Sequence, residues 1–190
     1  MIPFPGPVRR PAHPRVPPGT RAELGAINAA LCRAVARRFG GPVPNILTTL
    51  GRHRRLFRSW LRFAARLMPY GTLDRADAEL VILRVAVGCG SDYEWHQHVR
   101  LARRAGLTAE QIARVGAGPD APGWSEHQRA LLYAADQLIA HRTLDDAVFQ
   151  RLRETYDERR LIELCLLAGQ YAMLAGTLNA LGVRPELPDG

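Results

Sequence analysis

Three residues near the middle of this 190-residue chain have the types and spacing for proton chemistry, Glu79, Glu94 and His98, with Ser91 beside them as a candidate substrate contact. A histidine exchanges protons near neutral pH, and a carboxylate beside it orients the ring and stabilises its cation. Glu94 and His98 stand four apart, with Ser91 three before Glu94. At about 100° per residue these three share one face of a helix, so Glu94 and His98 are placed to touch. His96 points the other way; its ring and that of His98 lie about 200° apart, a poor metal pair. The structural alternative is an exposed i,i+4 pair worth a few tenths of a kcal/mol. Glu79 opens the preceding helix, where the dipole alone favours a carboxylate. Whether it reaches His98 depends on how the two helices cross.

The elements that must hold these residues follow from the local pattern. Leu80 to Val87 is a nearly continuous apolar run broken only by Arg84, and Gly88-Cys89-Gly90-Ser91 interrupts it. Glycines suit a helix end, and Ser91 or Asp92 suits the start of the next helix. The spacing predicts two helices joined by a tight turn, the second ending at Gly106. Tyr93, Trp95 and Arg84 are candidates to shape or charge a pocket, although buried aromatics more often pack.

The string Glu-Leu-x-Ile-Leu-Arg-x-Ala from Glu79, followed by Tyr93-Glu94-Trp95-x-x-His98 and Gly106-Leu107, resembles the carboxymuconolactone decarboxylase family. That family shares its fold with the alkylhydroperoxidase D proteins. The stretches 44–73, 124–138 and 161–183 are similar to other helices of the family, so the resemblance spans most of residues 40–183. It implies an all-α, alkylhydroperoxidase D-like helical bundle. The family's peroxidase branch carries Cys-x-x-Cys-x-x-x-His with a glutamate upstream. Here the histidine falls on His98, the glutamate on Glu79, and the two cysteine positions on Ser91 and Glu94. Both redox cysteines are therefore missing, and a serine hydroxyl cannot replace the thiolate that attacks a peroxide. The resemblance then implies acid/base chemistry on a small carboxylated substrate, with His98, Glu94 and Glu79 catalytic, no metal and no organic cofactor. It also implies a small homo-oligomer (dimer, trimer or hexamer) with sites near subunit contacts.

Hydrophobic residues make up 47% of the chain, enough for a core, and no uninterrupted run of about 18 apolar residues offers a membrane span. Three scattered cysteines, Cys32, Cys89 and Cys165, argue against a disulfide framework and for a reducing cytoplasm. All 26 basic residues are arginine, which with abundant Ala, Gly and Pro suggests a GC-rich bacterial genome. Residues 1–70 hold 13 arginines against the single acid Glu23, a charge of +12; the remaining 13 arginines and 17 acids give −4. A basic third suits an anionic substrate or an acidic face of a neighbouring subunit. Without a recognition-helix motif or an aromatic platform, nucleic-acid binding is disfavoured.

Residues 1–19, with seven prolines and two glycines, form an extended arm, disordered or laid on a neighbour, before a single helical domain over 20–190. Thr20 with Glu23 makes a capping box for a first helix whose apolar stripe is Leu24, Ile27, Leu31, Val35 and Phe39. Further helices are expected over 45–50, 53–67, from Thr72 or Asp74, 108–115, 125–140, from Asp145, and 158–181. Gly116–Gly123 is a loop and a candidate flap. Asp136 needs an arginine partner; Gln170 and Tyr171 need partners inside an apolar helix, and Tyr171 is a candidate pocket residue. His53, His127 and His141 look isolated and exposed. The leading expectation is a cofactor-free enzyme that moves a proton beside a carbonyl, with decarboxylation, isomerisation or elimination. Its rivals are a residual alkylhydroperoxidase working through Cys89 and a non-catalytic helical scaffold.

Overall fold

The computed structural model describes residues 2–186; among these every regular element is a helix. In order they are α1 (Arg21–Phe39), α2 (Asn45–Leu50), α3 (Arg54–Leu67), α4 (Arg75–Cys89), α5 (Asp92–Arg104) and α6 (Ala109–Arg114). A 3₁₀ turn at Val115–Ala117, then α7 (Glu126–Ala140), α8 (Asp146–Arg153) and α9 (Glu158–Leu181) follow. The starts obey local chemistry. Thr20, Thr108 and Ser125 each close a capping box, with Glu23, Gln111 and Gln128. Asp74, rather than Thr72, caps α4; the Thr72 hydroxyl and N–H donate to the Glu163 carboxylate of α9 instead.

Helix α4 is the centre. It packs against α5, α7 and α9 at once, so Leu80, Val81, Ile82, Leu83, Val85 and Ala86 are all buried. A helix apolar on every side is stable only when surrounded. Arg84, part-buried on the same helix, is held by both Asp136 oxygens at 2.6 and 2.8 Å and donates to the Val115 carbonyl at 2.9 Å. Asp136 thus has the arginine it needs. Arg84 is spent on joining α4, α7 and the 3₁₀ turn, not on charging a pocket.

Several expectations require correction. The arm takes an ordered path. It lies on its own chain, with Arg9 N–H on the Gly90 carbonyl, Arg15 and Val16 N–H on Leu181, and Gly19 N–H on Thr48. Arg10 pairs with Asp92 at 2.9 Å. In α1, Gly25 has φ 74°, which shifts the helical register. Asn28, Ala29, Cys32 and Ala36 then face inward, and Ile27 is 64% exposed. The Phe39 side chain lies outside the described residues. The 116–123 loop is pinned, not loose: Trp124 Nε1–H donates to Gly118, Arg129 to Pro119 and Arg114 to Gly123. Helix α9 is long and apolar enough to cross a bilayer by length and composition, which a search for an uninterrupted run does not detect. Here its inner face packs on α4 and α7.

His127 is not isolated. Its Nε2 meets Asp77 at 2.7 Å, the Tyr156 hydroxyl donates to the same carboxylate at 2.6 Å, and Thr155 bonds Nδ1. The Asp77 hydrogen bond raises the His127 pKa above its ordinary 6.5, against an opposing effect of burial. A raised folded-state pKa means that the native protein holds the proton more tightly than the unfolded chain. The contribution is fully present below pH 6.5 and is lost as pH rises through the higher native value. Wild type should therefore lose melting temperature across that interval more steeply than His127→Gln. Parallel curves in a pH series of thermal melts would refute the coupling.

Candidate active site

The α4–α5 connection is two residues long. Gly90 closes α4 in the left-handed region, φ 67° and ψ 35°, where a side chain would be strained. Ser91, fully buried, caps α5 by accepting the Glu94 N–H. Ser91 is therefore a structural cap beneath Glu94.

Glu79 and His98 meet across these two helices. The His98 Nδ1 lies 2.7 Å from Glu79 Oε2, with Glu79 1% and His98 8% exposed. An Nδ1–H donated to the carboxylate fixes the tautomer and leaves Nε2 as the nitrogen free to take a proton. The Tyr171 ring stands edge-on to His98, 5.0 Å between centroids. Its hydroxyl is pushed well above the ordinary tyrosine range by burial first and by the neighbouring Glu79 and Glu94 side chains next. It stays protonated and can only donate or accept as a neutral phenol.

Glu94 corrects the expectation from spacing. It shares the face of His98, but its carboxylate makes no bond to that ring. Glu94 is 2% exposed, and neither carboxylate oxygen has a hydrogen-bond partner. Burial drives its pKa well above the carboxylate range; the nearby Ser91 hydroxyl opposes this without making a bond of good geometry. A charged carboxylate left unpaired in a core is so costly that the group keeps its proton instead. The site therefore holds one glutamate paired to a histidine and one unpartnered glutamate that burial keeps protonated.

The other expected pocket residues serve packing. The Trp95 indole, fully buried, donates to the Ile2 carbonyl at 3.2 Å and receives the Phe4 ring edge-on, anchoring the arm. The Tyr93 hydroxyl donates to Glu186 at 2.8 Å and accepts the Ile46 N–H at 3.1 Å, tying α5 to α2 and the tail. Gln170 is buried with both amide atoms unpartnered, as is the Trp60 indole nitrogen. Cys89 is half-buried at the end of α4, and its thiol is pushed up by burial and by Glu94, against Arg9 and Arg142. The arm's approach to this turn escaped sequence reasoning. The one local signal is Gly90, where any Cβ would strike the Arg9 side chain and the Pro7 carbonyl.

A family profile, "Carboxymuconolactone decarboxylase family", matches residues 54–137, which run from the start of α3 into the last turn of α7 and include Glu79, Glu94 and His98. Over those residues the chain is similar to the carboxymuconolactone decarboxylase family. A curated relative, the Uncharacterized protein YdfG of Bacillus subtilis (strain 168), is 28% identical over 101 residues, 52% of this chain and 69% of that protein. The fold is that of the alkylhydroperoxidase AhpD core. An uncharacterized peroxidase-related protein with that core from Ralstonia eutropha JMP134 superposes with TM-score 0.76 at 23% identity, covering 92% of this chain and 94% of its own. The debrominase Bmp8, solved as a cysteine-to-alanine variant with 2,3,4-tribromopyrrole, superposes with TM-score 0.75 at 18% identity, covering 92% and 93%.

The neutral state of Glu94 has a measurable consequence. Its folded pKa lies above the ordinary 4.5, so the native state holds more protons than the unfolded chain as pH rises past that value. Stability attributable to Glu94 is full below pH 4.5 and falls as pH climbs toward the native pKa. Glu94→Gln, which cannot ionise, should be at least as stable at neutral pH and should lose the wild-type decline in denaturant melts. An unchanged pH slope in the variant would show that Glu94 ionises freely.

Proposed function

We propose that this protein is a cofactor-independent acid/base enzyme of the carboxymuconolactone decarboxylase type, acting on a small carboxylated or carbonyl substrate. The observation that carries this reading is the buried Glu79–His98 pair at 2.7 Å, in the same core as a protonated Glu94. His98 Nε2 takes a proton from the carbon beside the carbonyl. The electron pair moves into the carbonyl, and Glu94 donates its proton to the oxygen that gains charge. Glu79 holds the imidazole and balances the cation that forms. For decarboxylation the C–C bond to the carboxylate breaks in place of C–H, its electron pair moves into the carbonyl as carbon dioxide leaves, and His98, having taken a proton from solvent, delivers it to the carbon as the carbonyl re-forms and Glu94 takes its proton back. General acid and base groups of this kind contribute about 10²–10⁴-fold each.

The expected outcome is solvent-deuterium incorporation or CO₂ release with one member of a panel of γ-carboxy-lactones and β-keto acids. His98→Asn and Glu94→Gln should each lower the rate by about 10²-fold or more. Equal rates in wild type and His98→Asn would overturn the assignment. Peroxide reduction would require a thiolate at Cys89, and the raised thiol pKa weighs against it. Peroxide turnover lost in Cys89→Ser would revive that reading.

We also infer a homo-oligomer in a reducing, cytoplasmic compartment. Ile162, Leu166 and Met173 are exposed along one side of α9, and Leu56 and Phe63 are exposed on α3, which touches α9. Such large apolar groups at helical spacing support a contact surface, and the +12 first third against the −4 remainder supports a second copy as its occupant. Sedimentation should give a multiple of the chain mass, reduced by Leu166→Glu. A monomeric wild type would refute it.

A further inference from the structure

A carboxylated substrate of the Glu79–His98 site needs a cation to hold it. Arg84, on the same helix as Glu79, is taken by Asp136, and Arg10 by Asp92. Arg75 is differently placed. It stands four residues before Glu79 on α4, so the two share a face one turn apart. Its guanidinium donates to the Pro69 carbonyl at 2.7 Å and meets the Met68 sulfur. Among the described residues no carboxylate pairs with it. A carbonyl and a thioether leave its charge unneutralised, and a guanidinium has more N–H donors than these two contacts use.

Helix α9 supplies a second donor. It runs beside α4 in the same direction: the Glu163 carboxylate accepts the Thr72 and Leu73 N–H groups just before α4, and the Asn179 amide donates to the Cys89 carbonyl at its end. Tyr171, midway along α9 between those contacts, therefore lies abreast of the middle of α4, with its ring edge-on to His98. The charge of Arg75 reaches the Tyr171 hydroxyl and opposes the effect of burial there. That hydroxyl makes no hydrogen bond among the described residues, and unlike the Glu94 oxygens it is not sealed. Arg75 and Tyr171 both keep some exposed surface, so this flank is the side of the pair that faces solvent.

We propose that Arg75 is the carboxylate-binding residue of this site, with the Tyr171 hydroxyl donating to the same group. The inference rests on the acid/base reading and adds to it the residue that selects a carboxylated substrate over a neutral one. Paired guanidinium N–H groups match a planar carboxylate, and charge-assisted bonds are the stronger kind. Arg75 lies one helical turn, ~5 Å along α4, from Glu79, which separates the held carboxylate from the atom on which His98 acts by a few bonds.

The test is an NMR titration of the full chain with butyrate and with butyramide, its neutral counterpart. Butyrate should shift the His98 ring signals and the Arg75 Nε–H signal together, and butyramide neither. Arg75→Gln should weaken butyrate at least tenfold, and Tyr171→Phe several-fold. If Arg75→Gln does not fold, Arg75→Lys, which keeps the charge without the paired geometry, should bind several-fold more weakly than wild type. No butyrate binding, a shift at His98 without one at Arg75, equal binding of butyramide, or wild-type affinity in the Arg75 variant would each overturn the proposal. Binding is read here without turnover. Turnover that survives in His98→Asn sinks the acid/base reading alone, and turnover whose KM ignores Arg75→Gln sinks the carboxylate site alone.

Discussion

A carboxyl group sealed in a hydrocarbon core is costly unless a group beside it satisfies its oxygens. Glu79 has that group in His98, and the rest of the fold is arranged to keep the two together. Helix α4 must be surrounded for Glu79 to be buried. Helix α5 must return at once through Gly90 and Ser91 for His98 to lie against it. Helix α9 must cross with Tyr171 inward to close the ring's other side. Removal of either partner would leave the other buried and uncompensated, a loss of about 3–5 kcal/mol in comparable pairs.

Glu94 shows the opposite solution to the same constraint. It has the same side chain, in the same core, with no partner, and it resolves the conflict by keeping its proton. Two carboxyl groups with environments that push them apart are the usual basis for dividing acid and base roles. The difference in partners arises from crossing geometry: α4 supplies the partner for His98, so Glu94 is left without one.

What sequence could and could not reveal separates along the same line. Capping boxes, the Gly90 break and the Ser91 cap were legible because each depends on residues within one turn of the chain. Asp136 needing an arginine was legible from its apolar surroundings. The Glu94–His98 contact was a sound inference from helical spacing that failed because a better-placed carboxylate came from another helix. Tyr93 and Trp95 sit in the motif yet face Glu186 and Ile2. Nothing local marks that, since their partners lie about ninety residues away in both directions. The arm was misjudged for a related reason. Its prolines exclude a helix but do not exclude an ordered path, and one backbone bond at Gly90 with two more at Leu181 suffice to set it.

The two positions that hold cysteines in the peroxidase branch now hold a cap and an acid. Thiol and carboxyl differ in that only the thiolate attacks a peroxide, but burial acts on both in the same sense, raising the pKa and retaining the proton. A buried weak acid one turn before the histidine therefore keeps its proton as a buried thiol would. The serine left at the other position maintains the N–H bond that starts α5, so the geometry of the pair does not depend on the lost thiols.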